Sequence, residues 1–68
     1  MKIFINGLET QTEHDKKLSE IIESFLNGKE ARGIAVAVNE KIIRKEDWEM
    51  TLLNEMDRIE IVTAVQGG

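Results

Sequence analysis

Apolar and polar residues at the start of the chain follow the pattern of a β-hairpin. Residues 1–6 alternate and are rich in β-branched side chains, which is typical of a strand. Asn6 and Gly7 follow, and this pair is the strongest short hairpin signal because both residues tolerate a positive φ angle. We therefore expect residues 8–12 to return as a second strand beside the first.

The hydrophobic period changes to that of a helix after Asp15. One apolar stripe with a spacing of three and four residues is formed by Leu18, Ile21, Ile22, Phe25 and Leu26. Asp15 is the expected N-cap, and Asn27 followed by Gly28 is the expected helix stop. The pattern predicts one amphipathic helix.

The second half of the chain is predicted to be mainly strand. We expect a buried strand over residues 34–38, a turn over 39–40 and a short strand over 41–44. A helical turn over 46–53, a second turn over 54–57 and a last strand over 58–65 follow. The helical turn is expected to pack under the sheet. The spacing of Trp48 from Leu52 favours a place for the indole in the core or at its edge.

This order places one long helix between two hairpins, which predicts the α+β class with a helix layer on a sheet. The first and last strands would be central and parallel. That arrangement is the β-grasp, or ubiquitin-like, fold: a mixed sheet of about five strands covered on one face by one main helix. We expect a β-grasp domain over residues 1–65 and a flexible tail over residues 66–68.

Strand alternation divides the predicted sheet into two faces. Facing the helix would be Ile3, Ile5, Val36, Val38, Ile59 and Ile61. Facing outward would be Phe4, Ala35, Ala37, Glu60, Val62 and Ala64. The outward set is more apolar than a monomer needs, and such patches commonly mark interaction sites. We predict a partner-binding face with Phe4 and Val62 as anchors; ordinary sheet surface is the alternative.

Composition narrows the possible functions. The 68 residues are enough for one small domain, and the absence of cysteine excludes a disulfide framework, a cysteine-based zinc site and a thiol nucleophile. A net charge of −4 disfavours nucleic acid as a partner. No apolar stretch approaches the roughly 20 residues of a membrane span, and none resembles a signal peptide. A cytoplasmic protein with no membrane association is expected.

Catalytic machinery is missing from the sequence pattern. The single histidine, His14, lies in a polar stretch, and the carboxylates show no spacing that singles out a catalytic pair. There is no glycine-rich phosphate loop leading into a helix, so any ATP would belong to a partner. We expect a protein that is not an enzyme.

The last three residues, Gln66, Gly67 and Gly68, offer a chemical handle. They follow an apolar run over residues 59–65. Two glycines lack Cβ atoms, so they form a thin tail that can enter a narrow channel and lie against a nucleotide. The terminal carboxylate is the expected reactive group.

Four segments together resemble the ThiS family, the sulfur carriers of thiamine biosynthesis. They are AVNEKII at residues 37–43, Trp48, DRIEIV at residues 57–62 and VQGG at residues 65–68. The resemblance covers essentially the whole chain. The chain departs from the family pattern at four positions. Arg44 stands where proline is usual and Lys45 where arginine is usual. Met56 replaces a turn glycine, and Lys17 replaces a helix-capping threonine.

The resemblance implies covalent chemistry at Gly68. An activating enzyme of the ThiF type would use ATP and Mg²⁺ to adenylate its carboxylate. The persulfide of a sulfur donor would then displace AMP and leave a thiocarboxylate, whose sulfur a ThiG-type thiazole synthase would take. The chain itself would bind no cofactor and no metal.

Three other functions are compatible with the sequence. The first is a small-subunit-type sulfur carrier for molybdopterin synthesis, which also ends in two glycines. The second is a ubiquitin-like modifier joined through Gly68 to a lysine of a target protein. The third is a non-covalent interaction module whose tail is inert.

Overall fold

A computed structural model of the chain describes residues 1–63. Its elements are β1 (Lys2–Ile5), β2 (Leu8–Gln11), α1 (Leu18–Leu26), β3 (Ile34–Val38), β4 (Lys41–Ile42), a 3₁₀ helix (Lys45–Met50) and β5 (Arg58–Thr63). One main helix and a mixed five-stranded sheet confirm the predicted β-grasp fold. The division at residue 65 stays a prediction, since residues 64–68 lie outside the described part.

The sheet has the strand order β2-β1-β5-β3-β4, which places β5 at its centre. β1 and β5 run parallel, with Phe4 opposite Arg58, and every other pair is antiparallel. The first and last strands are therefore neighbours and parallel, as predicted. Five residue pairs join β3 to β5, from Ile34 opposite Thr63 to Val38 opposite Ile59.

The core lies between α1 and one face of the sheet. Its fully buried side chains are Ile3, Leu18, Ile22, Val36 and Ile59. Trp48 is also buried, and its indole N–H donates to the carbonyl oxygen of Ile43 at 3.0 Å. A buried indole with a satisfied N–H confirms the predicted place at the core.

Trp48 and Leu52 do not share one helical face, contrary to the prediction from their spacing. The 3₁₀ helix ends at Met50, and Thr51 is extended, so the side chains no longer follow a helical period. Leu52 is 58% exposed, whereas Leu53 enters the core. Leu52 instead forms an isolated antiparallel bridge with Lys17.

The helix begins two residues later than predicted. Asp15 has a φ angle of 65° and lies in a turn, whereas Lys17 occupies the N-cap position. The Lys17 side chain carries no acceptor, so the Glu20 carboxylate takes over the capping contact and accepts from the Lys17 backbone N–H at 2.8 Å. The predicted stop is confirmed, because Asn27 is left-handed and its N–H bonds to the Glu23 carbonyl.

The structure differs from the prediction at Phe25 and at the end of β4. Phe25, at the margin of the helical stripe, is 44% exposed rather than buried. β4 ends at Ile42 instead of at residue 44. The Ile43 N–H still bonds to the Val36 carbonyl, but Arg44 then serves as the N-cap of the 3₁₀ helix and cannot continue the strand.

Met56 occupies a backbone conformation that favours glycine. Its φ angle is 72°, its side chain is exposed, and its N–H donates to the Lys2 carbonyl at 2.6 Å. Side chains other than glycine are disfavoured there by contact between Cβ and the backbone. This geometry accounts for the turn glycine that the family pattern has at this position.

Candidate functional site

The register of the sheet brings the predicted partner-binding residues onto one surface. Directly opposed residues project to the same side of a sheet. Phe4 lies opposite Arg58, Ala37 opposite both Glu60 and Ile42, and Ala35 opposite Val62. We call this surface the outer face, and define it by Phe4, Ala35, Ala37, Ile42, Arg58, Glu60 and Val62.

Exposure differs among the predicted residues of the outer face. Val62 is 59% exposed, Glu60 and Ala35 are exposed, and Phe4 is half-buried. Ala37 does face outward, but it is only 9% exposed. Its methyl group is short and lies between the longer side chains of Glu60 and Ile42 on the neighbouring strands. Ala37 is therefore too buried to be a main contact. Ala64 lies outside the described residues.

Sequence reasoning missed two residues of the outer face, Ile42 and Arg58, and one residue beside it, Met56. Ile42 is 68% exposed and Met56 is 53% exposed, which makes them major apolar groups near the outer face. Arg58 is exposed beside Phe4. Arg58 could have been placed on the outer face from the sequence, because it lies two residues before Glu60 on the same strand. Ile42 could have been placed there only from the pairing of β3 with β4. No periodic signal marks Met56, because it reaches the surface from a turn.

A shallow depression of about 510 Å³ lies at one end of the outer face. It is lined by Phe4, Gly7, Asn39, Met56, Arg58, Ile59 and Glu60. Apolar groups sit beside one cation and one anion, and none of the ion pairs among residues 1–63 uses Arg58 or Glu60. Both charges are therefore available to a partner that seats an apolar side chain between them.

Asn39 and Asp57 hold the start of β5 in place. The Asn39 amide donates to one oxygen of the Asp57 carboxylate at 2.8 Å, and its own oxygen accepts from the Arg58 backbone N–H at 2.9 Å. The second Asp57 oxygen accepts from the Asn54 N–H at 2.7 Å. Asp57 is buried, so its two hydrogen-bond partners replace the lost water. These two motif residues are structural, and Asn39 also lines the depression.

The predicted chemical handle, Gln66, Gly67 and Gly68, lies outside the described residues. What the structure does place is β5, whose last residue, Thr63, pairs with Ile34. Within residues 1–63 there is no cluster of three metal-binding side chains, and no helix is both long and apolar enough to cross a membrane.

Comparison with known proteins identifies the class to which this fold and surface belong. The structure covers all of the crystal structure of the thiamine biosynthesis protein ThiS from Geobacter metallireducens with a TM-score of 0.81 at 21% identity. The solution structure of a thiamine biosynthesis protein from the same organism gives a TM-score of 0.75 at 19% identity, with all of this chain and 88% of that chain covered. These likenesses establish the ThiS-like β-grasp fold.

The sequence comparisons establish the family. The uncharacterised protein Ycf40 of Trieres chinensis is 34% identical over 65 residues, which cover 96% of this chain and 86% of that protein. The ThiS family model matches residues 3–68, and the chain belongs to this family. Its members are non-enzymatic sulfur carriers, so membership implies a sulfur-carrier role in thiamine biosynthesis.

Proposed function

We propose that the carboxylate of Gly68 is adenylated by a partner and converted to a thiocarboxylate that donates sulfur for the thiazole of thiamine. The observation that carries this proposal is the family match, which runs through residue 68 and so includes both glycines. The lack of cysteine in the chain is consistent with it, because the chain cannot hold the sulfur as a cysteine persulfide.

The chemistry proceeds by activation of a poor electrophile. One oxygen of the Gly68 carboxylate attacks the α-phosphate of ATP, and pyrophosphate leaves. The resulting mixed anhydride is attacked at its carbonyl carbon by the persulfide of a sulfur donor, and AMP leaves. A thiol then cleaves the sulfur–sulfur bond, which leaves a thiocarboxylate on Gly68 and a disulfide on the thiol side. The new sulfur is a much better nucleophile than a carboxylate oxygen.

The partners supply everything else that the reaction needs. ATP and Mg²⁺ belong to a ThiF-type activating enzyme, and the acceptor of the sulfur is a ThiG-type thiazole synthase; the chain binds no cofactor. Both partners dock on the outer face, with Phe4 and Val62 as anchors and with Ala35 beside Val62 on β3. Because this face is small, the two partners exclude each other. The reactions take place in the cytoplasm.

Intact mass tests the proposal. We expect incubation with the activating enzyme, MgATP and sulfide to raise the mass of the chain by one oxygen exchanged for one sulfur. Sulfide attacks the acyl-adenylate directly, so no further reductant is needed. Omission of ATP is the control. An unchanged mass with an enzyme that is active on its own carrier would contradict the proposal.

Charge reversal at Glu60 tests the docking face. Glu60→Lys is expected to weaken binding to the activating enzyme about five-fold, equivalent to about 1 kcal/mol, because it places a second cation beside Arg58. Titration calorimetry at two salt concentrations measures the change. Glu49→Lys is the matched control, since it changes the net charge equally but lies on the 3₁₀ helix beside α1. Equal effects of the two variants would rule out a local contact at Glu60.

A further inference from the structure

Asn6 lies where β1 leaves the sheet. Its backbone N–H donates to the Ile59 carbonyl at 2.9 Å, and its φ angle of 50° then turns the chain into Gly7 and away from β5. The main chain of β1 can therefore offer β5 no partner beyond Ile59. A polar backbone group left unpaired beside a strand weakens the strand at that point.

The side chain of Asn6 replaces the missing strand. Its Oδ1 accepts from the Ile61 backbone N–H at 2.8 Å, and its Nδ2 donates to the Ile61 carbonyl at 3.2 Å. A carboxamide has the same donor and acceptor as a peptide group. Asn6 therefore extends the parallel β1–β5 ladder by one step, although the main chain has already turned. Asparagine also tolerates the left-handed backbone better than most residues.

The contact between Asn6 and Ile61 matters for function because it lies near the end of β5. On the other side, β3 pairs with β5 as far as Thr63. Gly68 is the fifth residue after Thr63, and five residues span at most about 18 Å. With so short a reach, the point at which β5 is last held on both sides determines where the carboxylate can arrive.

We propose that Asn6 is a positioning residue for the delivery of Gly68 to the partner's nucleotide. It acts by holding Ile61, so that β5 stays paired on both sides until two residues before its end. This assignment rests on the proposed function. Loss of the contact leaves the last part of β5 paired with β3 alone, so the end of the strand is held less firmly and the local concentration of the Gly68 carboxylate at the nucleotide falls.

The proposal predicts a specific kinetic change. The outer face still docks in an Asn6 variant, so KM for the carrier is unchanged, whereas the docked carboxylate reaches the nucleotide less often. We expect Asn6→Gly to lower kcat for adenylation about two- to five-fold at constant KM. Glycine adopts the positive φ angle without strain and removes the side chain with its carboxamide. Asn6→Asp keeps the acceptor but loses the donor, so an intermediate value is expected.

Two measurements on the full chain test this assignment. Adenylation is followed by exchange of pyrophosphate into ATP with the activating enzyme, and backbone protection by amide hydrogen exchange. In Asn6→Gly, exchange at the Ile61 amide is expected to be at least about ten-fold faster, while the Ile3 amide is unaffected. Thr51→Ala is the matched control, because it removes a 2.7 Å side-chain-to-backbone hydrogen bond to Asp47 in the 3₁₀ helix.

The possible outcomes separate the two proposals. Faster exchange at Ile61 with a lower kcat, seen in Asn6→Gly and not in Thr51→Ala, supports the positioning role. The positioning role is overturned if hydrogen exchange at Ile61 is unchanged, if kcat is unchanged, or if the lower adenylation rate is due to a higher KM. None of these outcomes contradicts the carrier function. A wild-type chain that is never adenylated refutes the carrier function, and the role of Asn6 in delivery with it.

Discussion

Deletion of Gly67 and Gly68 is expected to abolish adenylation completely while affinity for the activating enzyme changes less than about three-fold. Docking is proposed on the outer face, which lies within residues 1–63, so affinity should not depend on the tail. Chemistry does need it, because the shortened chain ends in the Gln66 carboxylate, two residues short of the nucleotide and with a side chain in place of hydrogen. Pyrophosphate exchange and titration calorimetry measure the two properties separately.

Gln66→Ala provides the control for this deletion. It alters the tail without shortening it and keeps both glycines, so adenylation should stay within about two-fold of the wild-type rate. Retention of adenylation in the deleted chain would contradict a carrier role for Gly68. Retention of biological function by the deleted chain would instead indicate an interaction module, and covalent conjugates of the intact chain in cell lysate would indicate a modifier.

The parts of the fold that follow a regular period could be predicted from the sequence. The stripe from Leu18 to Leu26 predicts the helix, and the pair of Asn6 and Gly7 predicts the hairpin, because each pattern has one dominant structural solution. Alternation along β5 correctly placed Glu60 and Val62 on the side opposite the core. These features depend on local spacing alone.

The parts that depend on contacts between distant segments could not be predicted. The helical spacing from Trp48 to Leu52 does not hold in the structure, because the 3₁₀ helix ends at Met50 and Thr51 is extended. Ile42 joins the outer face only through its pairing with Ala37. The bond from Asn6 to Ile61 spans 55 residues of sequence and has no local signature. Such side-chain-to-backbone contacts are specified by the assembled sheet.

Two asparagines in left-handed conformation now explain how β5 is fixed at both ends. Asn39 bonds to the Arg58 N–H where the strand begins, and Asn6 bonds to Ile61 near its end. Both side chains supply peptide-like groups at points where a neighbouring strand has turned away. The central strand, which leads to the proposed reactive end, is therefore held by side chains as well as by its neighbours. The contacts at the start of β5 differ from those of Asn6 because they also involve the buried carboxylate of Asp57.

Removal of that carboxylate should have the largest effect on stability. We expect Asp57→Ala to lower the free energy of unfolding by about 2–4 kcal/mol, because the Asn39 amide and the Asn54 N–H lose a charged acceptor. A domain of this length has a total of about 3–10 kcal/mol, so the variant is close to unfolding. At about 4–8 °C for each kcal/mol, the melting temperature should fall by about 10–30 °C.

Two variants separate the hydrogen bonds of Asp57 from its charge. Asp57→Asn keeps one acceptor but turns an amide donor toward either the Asn39 amide or the Asn54 N–H, so an intermediate loss is expected. Glu49→Ala removes an exposed carboxylate and should change stability by less than about 0.5 kcal/mol. Urea unfolding measures all three variants. A loss below about 1 kcal/mol for Asp57→Ala would mean that water replaces the carboxylate in its contacts. The start of β5 would then be held mainly by the bond between Asn39 and Arg58.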